Sequence, residues 1–261
     1  MTTARNATRS TARGMVSGTS TRRSAYLEHW AEVRGLCFDL GGTLVQPDSL
    51  PTTGQVALVL GISLSTTRAV MEEGAKRRRI APGQLARELA AGFRRPALAG
   101  RLEKVLLQAR GRAARPELFE EAEGVLRLLR SRGFGLFALT NSLGSSIPDR
   151  PAPFTKLLDG VVYSADCGAV KPERAAFAAV ERLSGLSGPE LLHVGDSLRA
   201  DVAGALAAGW QAAYLSRSTA TGPAGPLPEA AVLIRTLAAL PVLLPARPAL
   251  RRASPEGGAR P

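Results

Sequence analysis

Phe38-Asp39-Leu40-Gly41-Gly42-Thr43-Leu44 is an apolar run that ends on an acid and breaks into a glycine turn. With the residues before it, Arg34 to Leu40 (RGLCFDL) read as a buried strand. A second run, Leu191–Val194, ends the same way in Gly195-Asp196-Ser197, with Asp201 five residues beyond Asp196. Open α/β folds place their chemistry beyond the carboxyl ends of their strands, so these acids are expected at one crevice.

Working outward from Asp39, Phe134–Leu139 (FGLFAL) is a third apolar run, followed by Thr140-Asn141-Ser142. A short strand is expected at Val161–Ser164, a helix after Pro172, an Ala/Gly-rich helix from about Ala200 and a strand at Gln211–Leu215. Alternating strands and helices predict an α/β fold with a doubly wound parallel sheet. Pro116 is expected to open a helix, with Glu117, Glu120, Glu121 and Glu123 in its first turns, Arg127, Arg130 and Arg132 in its last, and Gly133 at its stop. Residues 46–115 break the alternation directly after the first strand. They read as helices interrupted at Gly61, Pro82-Gly83 and Pro96, an all-α cap over the carboxyl edge of the sheet. The expected division is therefore a core of residues 34–45 and 116–240, a cap of 46–115, and disordered tails at 1–33 (basic) and 241–261 (Pro- and Arg-rich).

A length of 261 residues suits one α/β domain with a small second lobe. The chain is 45% hydrophobic but only 5% aromatic, so the core is expected to be built from Leu, Ala and Val. No apolar run nears the length of a membrane span. Cys37 and Cys167 are isolated, without the spacing of a zinc site or an export signal. A cytoplasmic protein with no membrane partner is the expectation. The net charge of +12 is concentrated in the two tails and the cap. Residues 46–115 carry thirteen basic and five acidic side chains, whereas the segments that hold the motifs have a slight acidic excess. Lys76-Arg77-Arg78-Arg79 has no interleaved aromatic for base stacking; it reads as a solvated helix face, and no specific nucleic-acid partner is expected. His29, His193 and Cys37 read as structural.

Asp39, Asp196 and Asp201 together repel one another unless a cation sits among them, and oxygen ligands suit a hard divalent ion such as Mg²⁺. Thr140 and Asn141 add hydroxyl, amide and backbone donors at a neighbouring strand end. Lys171, one of only four lysines, adds a point positive charge. A carboxylate nucleophile, a metal, a hydroxyl and a lysine form a set suited to phosphoryl transfer.

Asp39-Leu40-Gly41-Gly42-Thr43, Leu139-Thr140-Asn141, Lys171-Pro172-Glu173 and Gly195-Asp196-Ser197-Leu198-Arg199-Ala200-Asp201 occur in that order. Together they resemble the four motifs of the haloacid dehalogenase-like hydrolase superfamily, over residues 34–216 and most closely over 158–209. The resemblance implies a Rossmann-like core with Asp39 as nucleophile, forming an aspartyl-phosphate. It implies Mg²⁺ held by Asp39, the Gly41 carbonyl and Asp196, with Asp201 in support. Thr140 and Lys171 would hold the phosphoryl oxygens, and Asn141 would contact the phosphate or orient its loop. The substrate implied is a small phosphorylated metabolite.

One position departs from the pattern. Phosphatases of this superfamily carry a second Asp two residues after the nucleophile, where this chain has Gly41. General acid–base help is worth roughly 10²–10⁴-fold, so slow turnover, a preference for good leaving groups or a borrowed acid is expected. Dehalogenases of the superfamily carry Tyr there and phosphonate hydrolases Ala; the latter also need a cap lysine, for which Lys76 and Lys104 are the candidates. Actin-fold sugar kinases share Asp-x-Gly-Gly-Thr but need further motifs that this chain lacks. The competing class is a phospho-ligand-binding protein that barely turns its ligand over.

Overall fold

Gly35–Phe38 forms β1, the central strand of the sheet in a computed structural model that describes residues 30–218 and 225–244. All four of its residues are buried, as expected for a parallel strand covered on both faces. β2 (Gly135–Thr140) and β4 (Leu191–Gly195) flank it, with β3 (Gly160–Tyr163) beyond β2 and β5 (Gln211–Leu215) and β6 (Ala231–Ile234) beyond β4. The order is β3-β2-β1-β4-β5-β6, every pair parallel. The chain leaves β1 toward β2 and returns to β4 on its other side, so the strand order reverses at β1. That reversal opens a crevice at the carboxyl end of β1.

Alternation along the strands divides the core. Leu36 and Phe38 face one side, with Trp30, Leu126, Leu129 and Leu136. Cys37 faces the other, with Phe137, Phe177, Val180 and Trp210. Residues 52–114 contain four helices, Thr52–Leu60, Leu64–Val70, Pro82–Gly92 and Ala99–Ala114, packed around an apolar cluster of their own that includes Val56, Leu60, Met71, Leu85, Leu89, Leu102 and Leu106. The expected breaks are visible: Gly61 ends the first helix at φ 61°, and Pro82 stands in the first turn of the third. No single helix of the described residues is long and apolar enough to cross a membrane.

Several boundaries differ from the sequence reading. The helix expected from Pro116 begins at Ala122. The intervening residues form the neck of the insertion instead: Val45 pairs antiparallel with Leu118, Gln46 N–H donates to the Glu117 carbonyl, and Phe119 N–H donates to that of Leu44. The helix Arg174–Ser184 follows Pro172 as expected. β6 was not anticipated. Trp30 and Val33 are fully buried in the core, so ordered structure starts before residue 34. At the other end Leu240 and Leu244 are also buried, so the core runs past residue 240. Residues 1–29 with His29, and 245–261, where the tails were expected, lie outside the described residues.

The basic run 76–79 is not a solvated helix face. It follows a π-helical turn, Met71–Ala75, and runs as irregular chain along the seam between the two lobes. Arg77 forks onto Glu173 (3.0 and 2.5 Å) and Arg79 onto Asp166 (2.5 and 2.9 Å). Gly144 lies so close to the run that a Cβ there would sit 1.8 Å from the Arg78 carbonyl oxygen. Arg77 and Arg79 thus tie the helical lobe to the core, although Arg79 stays half exposed, while Arg78 pairs with Glu88 within the lobe.

Candidate active site

Asp39 is the first residue past β1, and its N–H donates to the Val194 carbonyl (2.9 Å), which fixes it between β2 and β4. After it the chain turns at Gly42, whose φ of 79° belongs to the left-handed region. Glycine is required there for a second reason: a Cβ on Gly42 would lie 2.1 Å from Asp196 Oδ2. The turn is held from the far side by Arg217, just past β5. Its guanidinium donates to the carbonyls of Gly42 (3.4 Å) and Thr43 (2.8 Å), pairs with Glu121 (2.5 Å) and lies 3.5 Å over the Phe119 ring. Gly42→Ala is therefore expected to destabilise the fold by about 1–3 kcal/mol and to displace Asp196. The measurements are urea denaturation and a calorimetric Mg²⁺ titration, which should show weaker binding than wild type.

Lys171 is the electrostatic centre of the site. Its side chain is 1% exposed, and its Nζ donates to Asp39 Oδ1 (2.7 Å) and Asp201 Oδ1 (2.6 Å). Burial by itself would lower the ammonium pKa; Asp201 and then Asp39 outweigh it and hold Lys171 above its ordinary range. Burial likewise would raise Asp201, but Lys171 and His193 hold it well below the usual carboxylate range. Asp39 is pushed up to about 6, by burial first and then by the Asp201 charge, against the pull of Lys171. Asp196 is raised too, by burial and by Asp201. The carboxylate oxygens of Asp39, Asp196 and Asp201 come within 4.8 Å of one another.

Hydrogen bonds narrow the roles of two of the expected side chains. Both Asp201 oxygens are committed within the protein, Oδ1 to Lys171 and His193 and Oδ2 to the Ser197 N–H (2.9 Å), so Asp201 braces Lys171. Asn141 spends its amide on the Lys171 backbone: Nδ2 donates to the Lys171 carbonyl and Oδ1 accepts from its N–H. It orients the lysine loop, the second of the two roles the motif allowed. Thr140, at the end of β2, places its hydroxyl 3.0 Å from Ser142 Oγ and lines the cavity.

His193 and Arg217 are contributors that the sequence reading did not assign to the site. His193 Nε2 meets Asp201 Oδ1 at 2.9 Å beneath the crevice, and burial holds its pKa below the ordinary value. Its strand register, level with Cys37 on β1, was the available signal. Arg217 left none, because the path from β5 back to the first turn exists only in the fold. Cys37 is packing, as expected: fully buried, with its thiol raised by desolvation.

The crevice opens into a cavity of about 780 Å³ between core and helical lobe, within the range of small-molecule sites. Asp39, Gly41, Thr140 and Asn141 line its floor, and Lys76 and Arg112 come from the helical lobe. A Cβ on Gly41 would meet nothing within 4 Å.

The family model for haloacid dehalogenase-like hydrolases matches residues 33–209. The chain belongs to that family. No curated protein matches it. Among solved structures it is similar to a 2-haloacid dehalogenase from Pseudomonas syringae pv. Tomato, with 22% identity, 81% of this chain and 97% of that one covered, and a TM-score of 0.58. A HAD phosphatase from Thermococcus onnurineus matches at 22% identity over 81% and 97% of the two chains, with a TM-score of 0.50. The magnesium-bound HAD-hydrolase YfnB from Bacillus subtilis matches at 20% identity over 81% and 98%, with a TM-score of 0.52. At these identities the likeness is one of fold, shared by dehalogenases and phosphatases.

Proposed function

We propose that this chain is a Mg²⁺-dependent phosphomonoester hydrolase that uses Asp39 as its nucleophile on a small phosphorylated substrate. The observation that carries this reading is the surplus of acid around one buried lysine. Asp39, Asp196 and Asp201 crowd together while Lys171 supplies a single charge, and the neighbouring His193 is held toward its neutral form. Burial and mutual repulsion raise Asp39 and Asp196, and a cation among the oxygens would relieve both. The donor set is all oxygen, which fits Mg²⁺ and not a soft metal. Asp39 Oδ2, Asp196 and the Gly41 carbonyl are the groups that would hold it. When bound, such an ion offsets the charge of the phosphoryl group and keeps Asp39 ionised.

The protein groups divide the remaining work. Asp39 attacks phosphorus in line, the P–O bond to the alcohol breaks, and the phosphoryl group passes to the carboxylate. Water then cleaves the acyl phosphate and restores Asp39. Lys171 and the Thr140 hydroxyl hold phosphoryl oxygens, with Asn141 and Asp201 fixing where Lys171 points. Gly41 provides no acid for the leaving oxygen. The other carboxylates of the cavity lining, Asp48 and Glu117, are engaged by Arg112 and Gln46.

Hydrolysis of 4-nitrophenyl phosphate with and without Mg²⁺ tests the reading, because that leaving group needs no protonation. Metal-dependent turnover is the expected result. No turnover, with Mg²⁺ binding intact by calorimetry, would instead support the second reading that Gly41 favours, a phospho-ligand-binding protein. The open space at Gly41 adds a separate expectation. Gly41→Asp should fit without collision and raise kcat toward an alkyl phosphate at least several-fold, toward the roughly 10²–10⁴-fold that a positioned acid supplies. A fall in kcat would mean that the site is built around the glycine.

A further inference from the structure

Lys76 is the feature of the cavity that phosphoryl transfer leaves unused. It comes from the helical lobe, yet it lines the same cavity as Asp39, Thr140 and Asn141. Its side chain is only 18% exposed, and its nearest carboxylate, Glu72, is 3.8 Å away, 44% exposed and beyond hydrogen-bond distance. The other charges on the lining are accounted for. Asp39 is bound by Lys171, Arg112 by Asp48 at 2.9 Å, and Glu117 accepts from Gln46; Arg115 stands exposed at the edge. Burial outweighs the pull of Glu72 and lowers the Lys76 pKa, and both Asp39 and Lys171 are within its electrostatic reach. A largely desolvated ammonium whose one carboxylate within 4 Å among the described residues, Glu72, is half exposed and makes no hydrogen bond to it gains when an anion arrives.

The position of Lys76 is fixed from the core. Its carbonyl accepts from Ser164 Oγ at 2.7 Å. On its carboxyl side come the Arg77 and Arg79 forks to Glu173 and Asp166 and the close approach of Gly144 to Arg78. The main chain of Lys76 is thus fixed against the core, and from there its side chain reaches the cavity lining. It does not ride on a loose helix. Leu40, Val45, Pro148 and Phe154 add apolar wall to a lining that also carries hydroxyls such as Thr52, Thr140 and Tyr163.

We infer that Lys76 binds a second anionic group of the substrate, a carboxylate, so that the substrate class is a compact phosphate monoester that also carries a carboxylate. Glu72 acts on Lys76 more strongly than the Arg68 charge does, so the local excess matches a single negative charge better than a second phosphate dianion. The inference rests on the phosphatase reading for where the phosphate sits, but its test does not need turnover.

The test is calorimetric binding of two non-hydrolysable ligands in Mg²⁺, 4-carboxybenzylphosphonate and its isosteric amide, 4-carbamoylbenzylphosphonate. Wild type is expected to bind the carboxylate roughly tenfold more tightly than the amide, as one buried charge-assisted contact implies. Lys76→Gln should bring that ratio close to one, and Lys76→Arg, which keeps the charge, should retain most of it. Equal binding by wild type, or an undiminished ratio in Lys76→Gln, overturns the inference. The wild-type comparison stands alone if a variant fails to fold. A carboxylate preference without hydrolysis of 4-nitrophenyl phosphate would sink the enzymatic reading and keep this one. Hydrolysis without the preference would do the reverse.

Discussion

Lys171→Met is expected to cost about 3–5 kcal/mol of folding stability at pH 7 and to abolish turnover. The ammonium lies between Asp39 and Asp201, with its side chain 1% exposed. Methionine fills the volume but leaves two carboxylates buried against each other. In wild type, Asp201 is held below its ordinary pKa, so its stabilising contribution is present at neutral pH and lost only as pH falls far into acid. Without Lys171 the sign reverses. Asp201 then titrates above its unfolded value and the upward shift of Asp39 grows, so both destabilise the fold increasingly as pH rises from about 4 to 7. Urea denaturation in EDTA should therefore show a smaller deficit at pH 5 than at pH 7. An equal deficit at both would mean that packing, and not charge, is what Lys171 supplies.

Asp39→Asn should lower turnover of 4-nitrophenyl phosphate by at least about 10³-fold, because the amide cannot form the covalent intermediate. The fold should survive, since the substitution is isosteric and removes a charge from a crowded site. Wild type itself provides a control. With Asp39 pushed up to about 6, its ionised fraction falls as pH drops through that value. At low Mg²⁺ the rate should decline on the acid side near pH 6, and higher Mg²⁺ should shift that limb downward, because the cation competes with the proton. Residual Asp39→Asn activity near the wild-type level would place the chemistry on another group.

The meeting of Asp39, Thr140 and Asp196 at one crevice was legible in the sequence because each stands where an apolar run ends. Asp39 and Asp196 follow β1 and β4, Thr140 closes β2, and parallel register brings such ends together. What the side chains do to one another was less legible. Asn141 and Asp201 match their motifs, but only the fold shows that the first is spent on the Lys171 backbone and the second on its ammonium. Pro116 and the glutamates behind it carry strong helix-start signals, yet pairing with Leu44–Gln46 won those residues for the neck. Tertiary hydrogen bonds there outweighed local propensity. The run 76–79 misled for a related reason. The counter-ions of Arg77 and Arg79, Glu173 and Asp166, lie some ninety residues away, so a charge count along the chain could not reveal a seam.

The paired neck at Val45 and Leu118 has a consequence for engineering and for descent. The helical lobe leaves the core and rejoins it at adjacent points, locked by main-chain bonds that ask little of the side chains between. Loop-closure cost grows only slowly with the length of an insert, so the core is a socket that accepts lobes of different size. A transplanted lobe would have to bring its own partners for Glu173 and Asp166, or leave them to water. Substrate choice could thus be exchanged as a cassette while the reacting centre stays as it is.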